Sequence, residues 1–143
     1  MPTVRKNRAV RSLWKAHRWL FKTSGGRLGA RLGGFGTLML TTTGRTSHQH
    51  REVMLSYLPE GGSFLVIGSN AGEPRHPSWL LNVRVEPRAV VNVGTGRHHV
   101  TARELEGMER ESAWERFVAI EPAYGEYQRR TTRRIPVVSL DPL

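Results

Sequence analysis

The chain contains no cysteine, which removes disulfide frameworks and thiol chemistry and fits a reducing, cytoplasmic setting. It also has no Asp or Glu before position 52, although residues 1–51 carry eleven Lys and Arg. Residues 52–143 hold eleven Lys and Arg against twelve acids, so the whole formal charge of +10 belongs to the first third. A field this lopsided draws anions to one side of the fold: phosphates, acidic lipids or nucleic acid. Long apolar runs are missing as well. Nothing approaches the roughly 20 residues of a spanning helix, and residues 1–22 lack the uninterrupted apolar core of a signal peptide. With 143 residues there is room for one folded domain around one core.

What is present begins with a basic amphipathic stretch. Over residues 8–22, Val10, Leu13, Trp14, Leu20 and Phe21 follow helical spacing with His17 on their side, while Arg8, Arg11, Lys15, Arg18 and Lys22 surround the other faces. Such a helix packs on the rest of the fold, lies on an acidic membrane surface, or serves as a nucleic-acid arm; the first two are compatible if Trp19 and the basic face stay exposed. No nucleic-acid partner is expected. Residues 24–34 form a glycine-rich connector without the spacing of a dinucleotide loop. The division is therefore 1–34, helix and connector, and 35–143, the binding domain.

Within that domain, strands are expected at 37–43, 51–58, 63–69, 88–93, 97–104 and 135–140. The stretch 63–69 is nearly all apolar, so both of its faces should be buried. Helices are expected at 78–85, stopped by Pro87, and at 109–120, burying Ala113, Trp114, Phe117 and Val118. Residues 123–134 read only as aromatic and basic. Six short antiparallel strands without a βαβ rhythm, with interspersed helices, predict an α+β protein built on a small split barrel.

The chemistry-bearing stretch is Leu40-Thr41-Thr42-Thr43-Gly44-Arg45-Thr46-Ser47-His48-Gln49-His50-Arg51. It ends a β-branched strand, turns at a glycine, and presents hydroxyls, amides and two guanidiniums that can fork onto phosphate or carboxylate. Ser69-Asn70-Ala71-Gly72 and His76-Pro77-Ser78-Trp79 end the third strand and open a helix, adding a second anion-favouring end. His48 with His50, and His98 with His99, lack neighbouring acids and make poor metal sites, so no metal is expected. No serine sits on a strained elbow, which argues against a hydrolase. The same stretch would also serve as an ordinary hairpin loop with solvated arginines.

Taken together, these pieces are recognisable. Leu40-Thr41-Thr42-Thr43-Gly44-Arg45, Arg51, Ser69, His76-Pro77-Ser78-Trp79 with Asn82, Glu86-Pro87, Glu121-Pro122-Ala123-Tyr124-Gly125-Glu126-Tyr127-Gln128 and Arg133-Arg134-Ile135-Pro136-Val137-Val138 occur in order. Over residues 38–142 the chain resembles the deazaflavin-dependent nitroreductase family, actinobacterial split-β-barrel reductases that use the reduced deazaflavin coenzyme F420. The resemblance implies hydride transfer to quinones, nitro compounds or activated alkenes, with the chemistry supplied by the cofactor and no catalytic side chain. Flavin mononucleotide is the lesser cofactor alternative, and a non-catalytic cofactor- or lipid-binding member is the other.

The resemblance also implies roles by position. Arg45, Thr46, Ser47 and Arg51 would hold the phosphate and carboxylate-rich tail. Val53, Met54, Gly68 and Ser69 would lie beside the ring, Asn70 would be a further cofactor contact, and Ser78, Trp79 and Asn82 would close over the cofactor. Tyr124, Tyr127 and Glu121 would line the acceptor pocket. Thr46 and Asn70 stand where relatives often carry lysine, and His48 replaces a frequent glycine. Glu121 stands where nitroreductases often carry tyrosine, which favours quinones over bulky nitro-heterocycles.

Overall fold

The computed structural model describes residues 34–143. The basic helix expected over 8–22, and all but the last residue of the connector, lie outside the described residues. Six antiparallel strands close into a barrel in the order β1-β2-β3-β6-β5-β4. They are β1 (Gly36–Thr43), β2 (His50–Glu60), β3 (Ser63–Ile67), β4 (Arg88–Val93), β5 (Gly96–Glu104) and β6 (Val137–Pro142). Three helices accompany them: α1 (Ser78–Val85), α2 (Gly107–Ile120) and α3 (Ala123–Arg129), with a 3₁₀ turn at Asn70–Gly72. The expected split barrel is thus the observed architecture. Among the described residues, no helix is long and apolar enough to cross a membrane.

Strand alternation divides the apolar residues between two cores. Leu38, Leu40, Leu55, Val66, Val91, Val100, Val138 and Leu140 form one cluster together with Trp79, Leu80 and Val83 of α1. A second cluster unites Leu58, Leu65, Ile67 and Val137 with Ala113 and Phe117 of α2 and with Ile135. Because β3 sends Val66 to the first cluster and Leu65 and Ile67 to the second, it is buried on both sides, as its apolar run predicted. Each large buried side chain is worth roughly 1.5–3 kcal/mol, so the two clusters supply most of the drive that closes the barrel.

Two sequence expectations shift. In α2 the guanidinium of Arg110 is buried, while Trp114 and Val118 are only half-buried. Arg110 donates to the Ile135 carbonyl at 2.6 Å and to Glu111 at 3.0 Å, and stacks 4.7 Å from the centre of the Trp114 ring. A cation needs such partners to be buried, and periodicity does not register them. The last strand starts at Val137 instead of 135. Pro136 has no N–H for the ladder, and the Ile135 N–H donates instead to Gln128 at 2.9 Å. Residues 123–129 form α3, whose internal Gly125 weakens the helical signal in the sequence.

At the β3–β6–β5 seam, Asp141 accepts hydrogen bonds from Ser63 (2.7 Å), Ser139 (2.6 Å) and Arg103 (3.2 Å). Burial pushes its pKa up, but the hydrogen bonds from Ser139, Ser63 and Arg103 outweigh this and hold it below the ordinary value of 3.8. The stabilisation is therefore present above the ordinary carboxylate range and is lost as pH falls through the lowered pKa. Asp141→Ala should cost about 2 kcal/mol near neutral pH, and the gap to the parent should narrow below about pH 4. Urea unfolding from pH 7 to pH 3 checks this; a gap that does not change with pH refutes it.

Candidate functional site

The turn from β1 to β2 is built tightly. The Gly44 N–H donates to the Gln49 carbonyl at 2.8 Å, and the His48 N–H donates to the Gly44 carbonyl at 2.9 Å. A Cβ on Gly44 would lie 2.6 Å from the Ser47 hydroxyl, so a larger residue there would push that hydroxyl from its place. His48 sits at φ +59°, in the left-handed region that glycine occupies without penalty. The Ser47 hydroxyl accepts the Gln49 N–H at 3.2 Å and the Arg51 guanidinium at 3.4 Å. The loop's hydrogen bonds engage the N–H groups of Gly44, Arg45, His48 and Gln49; those of Thr46 and Ser47 are not among them.

Asn82 fixes this loop to the barrel. It projects from α1 beside Trp79, Leu80 and Val83, on the buried side of the helix. Its side-chain N–H donates to the Thr42 hydroxyl at 3.1 Å, and its carbonyl accepts from the Arg45 backbone N–H at 3.2 Å and the Arg45 guanidinium at 2.8 Å. Thr42 and Asn82 are 2% and 3% exposed, so these bonds are not traded with bulk water. Asn82 therefore acts on the site through Thr42 and Arg45.

A cleft of about 660 Å³ opens between this loop and the start of α1. Its walls include Thr42, Arg45, Thr46, Ser47, Arg51 and Val53 on one side, and Ser69, Asn70, Ser78, Trp79 and Asn82 on the other. The structure thus brings ten of the twelve sequence-assigned cofactor residues around one space, adding Val53's neighbour Leu55 together with Glu52, Ile67, Arg75, His76 and Pro77. Met54 lies elsewhere, because alternation turns it to the face opposite Val53, where it packs with Met39. Gly68 does not line the cleft. Its N–H donates to the Pro136 carbonyl at 3.0 Å, and a Cβ there would meet Leu80 at 3.2 Å.

The sequence-assigned acceptor residues lie apart from the cleft as well. Tyr124 packs edge-on against Phe117 (5.7 Å), Phe35 (6.0 Å) and Tyr127 (6.1 Å) in the second core. Burial, with smaller contributions from Tyr127 and Glu121, pushes the Tyr124 hydroxyl well above its ordinary pKa. Glu121 ends α2, and its carboxylate accepts the Ala123 N–H at 3.0 Å. Aromatic residues at i and i+3 on α3 find the apolar face of α2 first. Their link to the cleft runs through the backbone: a Cβ on Gly72 would lie 2.8 Å from the Tyr127 carbonyl, so α3 seats the Asn70–Gly72 turn.

Arg133 is the residue that carried no assigned role. Its guanidinium donates to the carbonyls of Glu73 (2.9 Å), Gly68 (3.1 Å) and Ser69 (2.7 Å), and lies 3.0 Å from Nδ1 of His76. Burial and then Arg84 lower its pKa, yet an arginine so engaged remains a cation. It ties together both ends of the 68–76 segment that walls the cleft. Three carbonyls converging on one side chain leave no trace in the sequence beyond the Arg133-Arg134 pair.

Among the described residues, most arginines away from the cleft are ion-paired, although Arg97 and Arg130 are not. Arg84 pairs with Glu104, Arg103 with Glu109 and Asp141, Arg116 with Glu60, and Arg134 with Glu111. Among the described residues, Arg45, Arg51 and Arg75 at the cleft form no ion pair with a carboxylate. Guanidiniums and hydroxyls share this space with Trp79, Val53, Leu55, Ile67 and Pro77 as apolar walls, a combination suited to a flat ring with an anionic tail.

A closed six-stranded split barrel with such a cleft is a scaffold that can hold a ring-bearing, anionic cofactor. The sequence model of the F420H(2)-dependent quinone reductases matches residues 13–142, and the chain belongs to that family. An F420H(2)-dependent quinone reductase of Mycobacterium tuberculosis is 36% identical over 133 residues, covering 90% of this chain and 89% of the relative. Among solved structures, the F420-H2 dependent reductase FDR-A is 42% identical with a TM-score of 0.67, covering 73% of this chain and 93% of that one. A domain-swapped dimer is 35% identical with a TM-score of 0.70, covering 92% and 99%.

Removing the Asn82 amide should loosen both walls at once. Asn82→Ala leaves the Thr42 hydroxyl and the Arg45 N–H without their partner and should cost about 2–3 kcal/mol. Thr42→Val, which removes only the acceptor for the Asn82 side-chain N–H, should cost about 1–2 kcal/mol. Urea midpoints at an unchanged slope measure both; equal small losses would show that the clamp bears no load.

Proposed function

We propose that this chain is a reductase that binds reduced coenzyme F420 in the cleft and passes its hydride to quinones, with nitro compounds and activated alkenes as acceptors of the same kind. The single observation that carries the reading is that three arginines forming no ion pair with a carboxylate among the described residues, Arg45, Arg51 and Arg75, line an apolar-walled cleft in a chain of this family. The donor set fits the cofactor. Arg51, Ser47 and the N–H groups of Thr46 and Ser47 would hold the anionic tail, with Arg45 locked in place by Asn82. Val53, Ser69, Asn70, Ser78 and Trp79 would frame the ring and keep water from it. When bound, the deazaflavin supplies a hydride without easy one-electron leakage. The protein's share is orientation, exclusion of water and stabilisation of the negative charge that develops on the acceptor.

Fluorescence titration with deazaflavin and with flavin mononucleotide tests this directly. Micromolar binding of the deazaflavin, followed by its oxidation with menadione, is the expected result. No deazaflavin binding would sink the reading, and binding without oxidation would point to a cofactor carrier. Arg51→Ala should weaken deazaflavin binding by about tenfold or more. Arg97→Ala, in β5 and outside the cleft, should change it little. Equal effects would mean that the anion site lies elsewhere.

A second contact belongs to the proposal on sequence grounds: residues 8–22 meet an acidic membrane surface through their basic side chains, each contributing roughly 1 kcal/mol near such lipid. Flotation with vesicles containing anionic phospholipid should be lost when residues 1–25 are deleted. Unchanged flotation would leave the helix as a packing element.

A further inference from the structure

We propose that His76 is a neutral hydrogen-bond donor in the cleft, held in its Nε2–H tautomer by Arg133, and that it serves a carbonyl oxygen of the molecule bound there. The argument starts from donor counting. A guanidinium has N–H groups only and cannot accept. The 3.0 Å contact between Arg133 Nη1 and His76 Nδ1 therefore requires a lone pair on Nδ1, which puts the ring proton on Nε2. A flipped ring would set a C–H against the guanidinium in place of that acceptor.

Arg133 cannot swing away without loss, because its other N–H groups hold the carbonyls of Glu73, Gly68 and Ser69. With Nδ1 committed to Arg133, Nε2 is the ring atom left for the cleft that His76 helps to line. The surrounding charges favour the neutral ring. Burial lowers the pKa first, and Arg133 and then Arg84 lower it further, against a smaller opposing effect of Glu104. Arg75 is one more cation at the same wall.

Two roles are excluded by this arrangement. The ring has no free lone pair, so it is not a general base, and as a neutral group it adds no charge to attract the anionic tail. What remains is a fixed, uncharged donor, suited to a carbonyl oxygen whose negative charge grows as hydride arrives nearby. Both a deazaflavin ring and a quinone acceptor carry such oxygens. The inference rests on the cofactor reading for the identity of the ligand, but not for the tautomer.

Long-range proton–nitrogen NMR on the full chain without ligand, with the His76 signals identified by their loss in His76→Gln, reads the tautomer. Protonated Nε2 and bare Nδ1 at pH 7 are expected; an Nδ1–H tautomer or a doubly protonated ring overturns the proposal. His76→Leu and His76→Gln are then compared for deazaflavin affinity and for kcat with menadione, the glutamine keeping an N–H donor. A loss of tenfold or more in the leucine variant, largely restored in the glutamine variant, supports the donor role. If the affected quantity is deazaflavin affinity, the oxygen belongs to the cofactor; if kcat falls at unchanged affinity, it belongs to the acceptor. A leucine variant that matches the parent, or equal losses in both variants, overturns the role. A parent chain that binds no deazaflavin refutes the cofactor reading instead, and the NMR result still decides the tautomer.

Discussion

The side-chain amide of Asn82 is the point on which the geometry of the cleft depends. One planar group on α1 accepts from the backbone and side chain of Arg45 and donates to the last buried hydroxyl of β1. An aspartate there would accept the same bonds but have nothing to give Thr42, and a leucine would leave all of the partners stranded. The amide is buried by the same apolar residues that close the first core, Trp79, Leu80 and Val83. Packing therefore sets the position of α1, and the amide carries that position across to the loop. Arg45 is thereby held in one place, without a carboxylate partner among the described residues, so its charge remains available to a ligand.

Arg133 does on the other wall what Asn82 does on the first. The segment from Gly68 to His76 includes Asn70 and Ala71 at positive φ, each of which costs free energy for a residue with a Cβ. Such a backbone persists where its surroundings over-determine it. Here three carbonyls and one ring nitrogen close on a single guanidinium, while the backbone of α3 presses against Gly72. The wall is rigid because a cation fills the space that its carbonyls face, not because its own sequence prefers that shape.

This difference explains what could be read in the sequence. The strands at 88–93 and 97–104 and the helix at 78–85 follow period and punctuation, and the structure reproduces them to within a residue. The loop Gly44–Arg51 and the start of α1 were legible as anion-favouring because their residue types state their chemistry directly. Arg110 and Arg133 were not legible as structural groups, since an arginine that holds carbonyls from distant segments looks the same in sequence as a solvated one. The resemblance puts Met54 beside the ring, but its alternation with Val53, legible in the sequence, turns it to the other face. Tyr124 and Tyr127 show the converse limit. Their type suits a stacking pocket, but their spacing suits a helix face, and the core of α2 claims that face in the structure.

The excess of positive charge also acquires a structural meaning. On much of the barrel the arginines are matched by acids across strands and helices, which keeps the surface close to neutral. At the cleft Arg45 is matched by an amide and a carbonyl, and Arg51 by a hydroxyl. A carboxylate partner at Arg51 or Arg75 would compete with any anionic tail, whereas a serine hydroxyl at 3.4 Å orients the guanidinium and yields readily to a stronger acceptor. His76 completes the pattern. Beside so many cations a further positive charge would be costly, and a neutral ring N–H is the form of polarity that this wall can hold. The cleft therefore combines charged donors with an uncharged one, the set needed by a molecule that is anionic at one end and a carbonyl-bearing ring at the other.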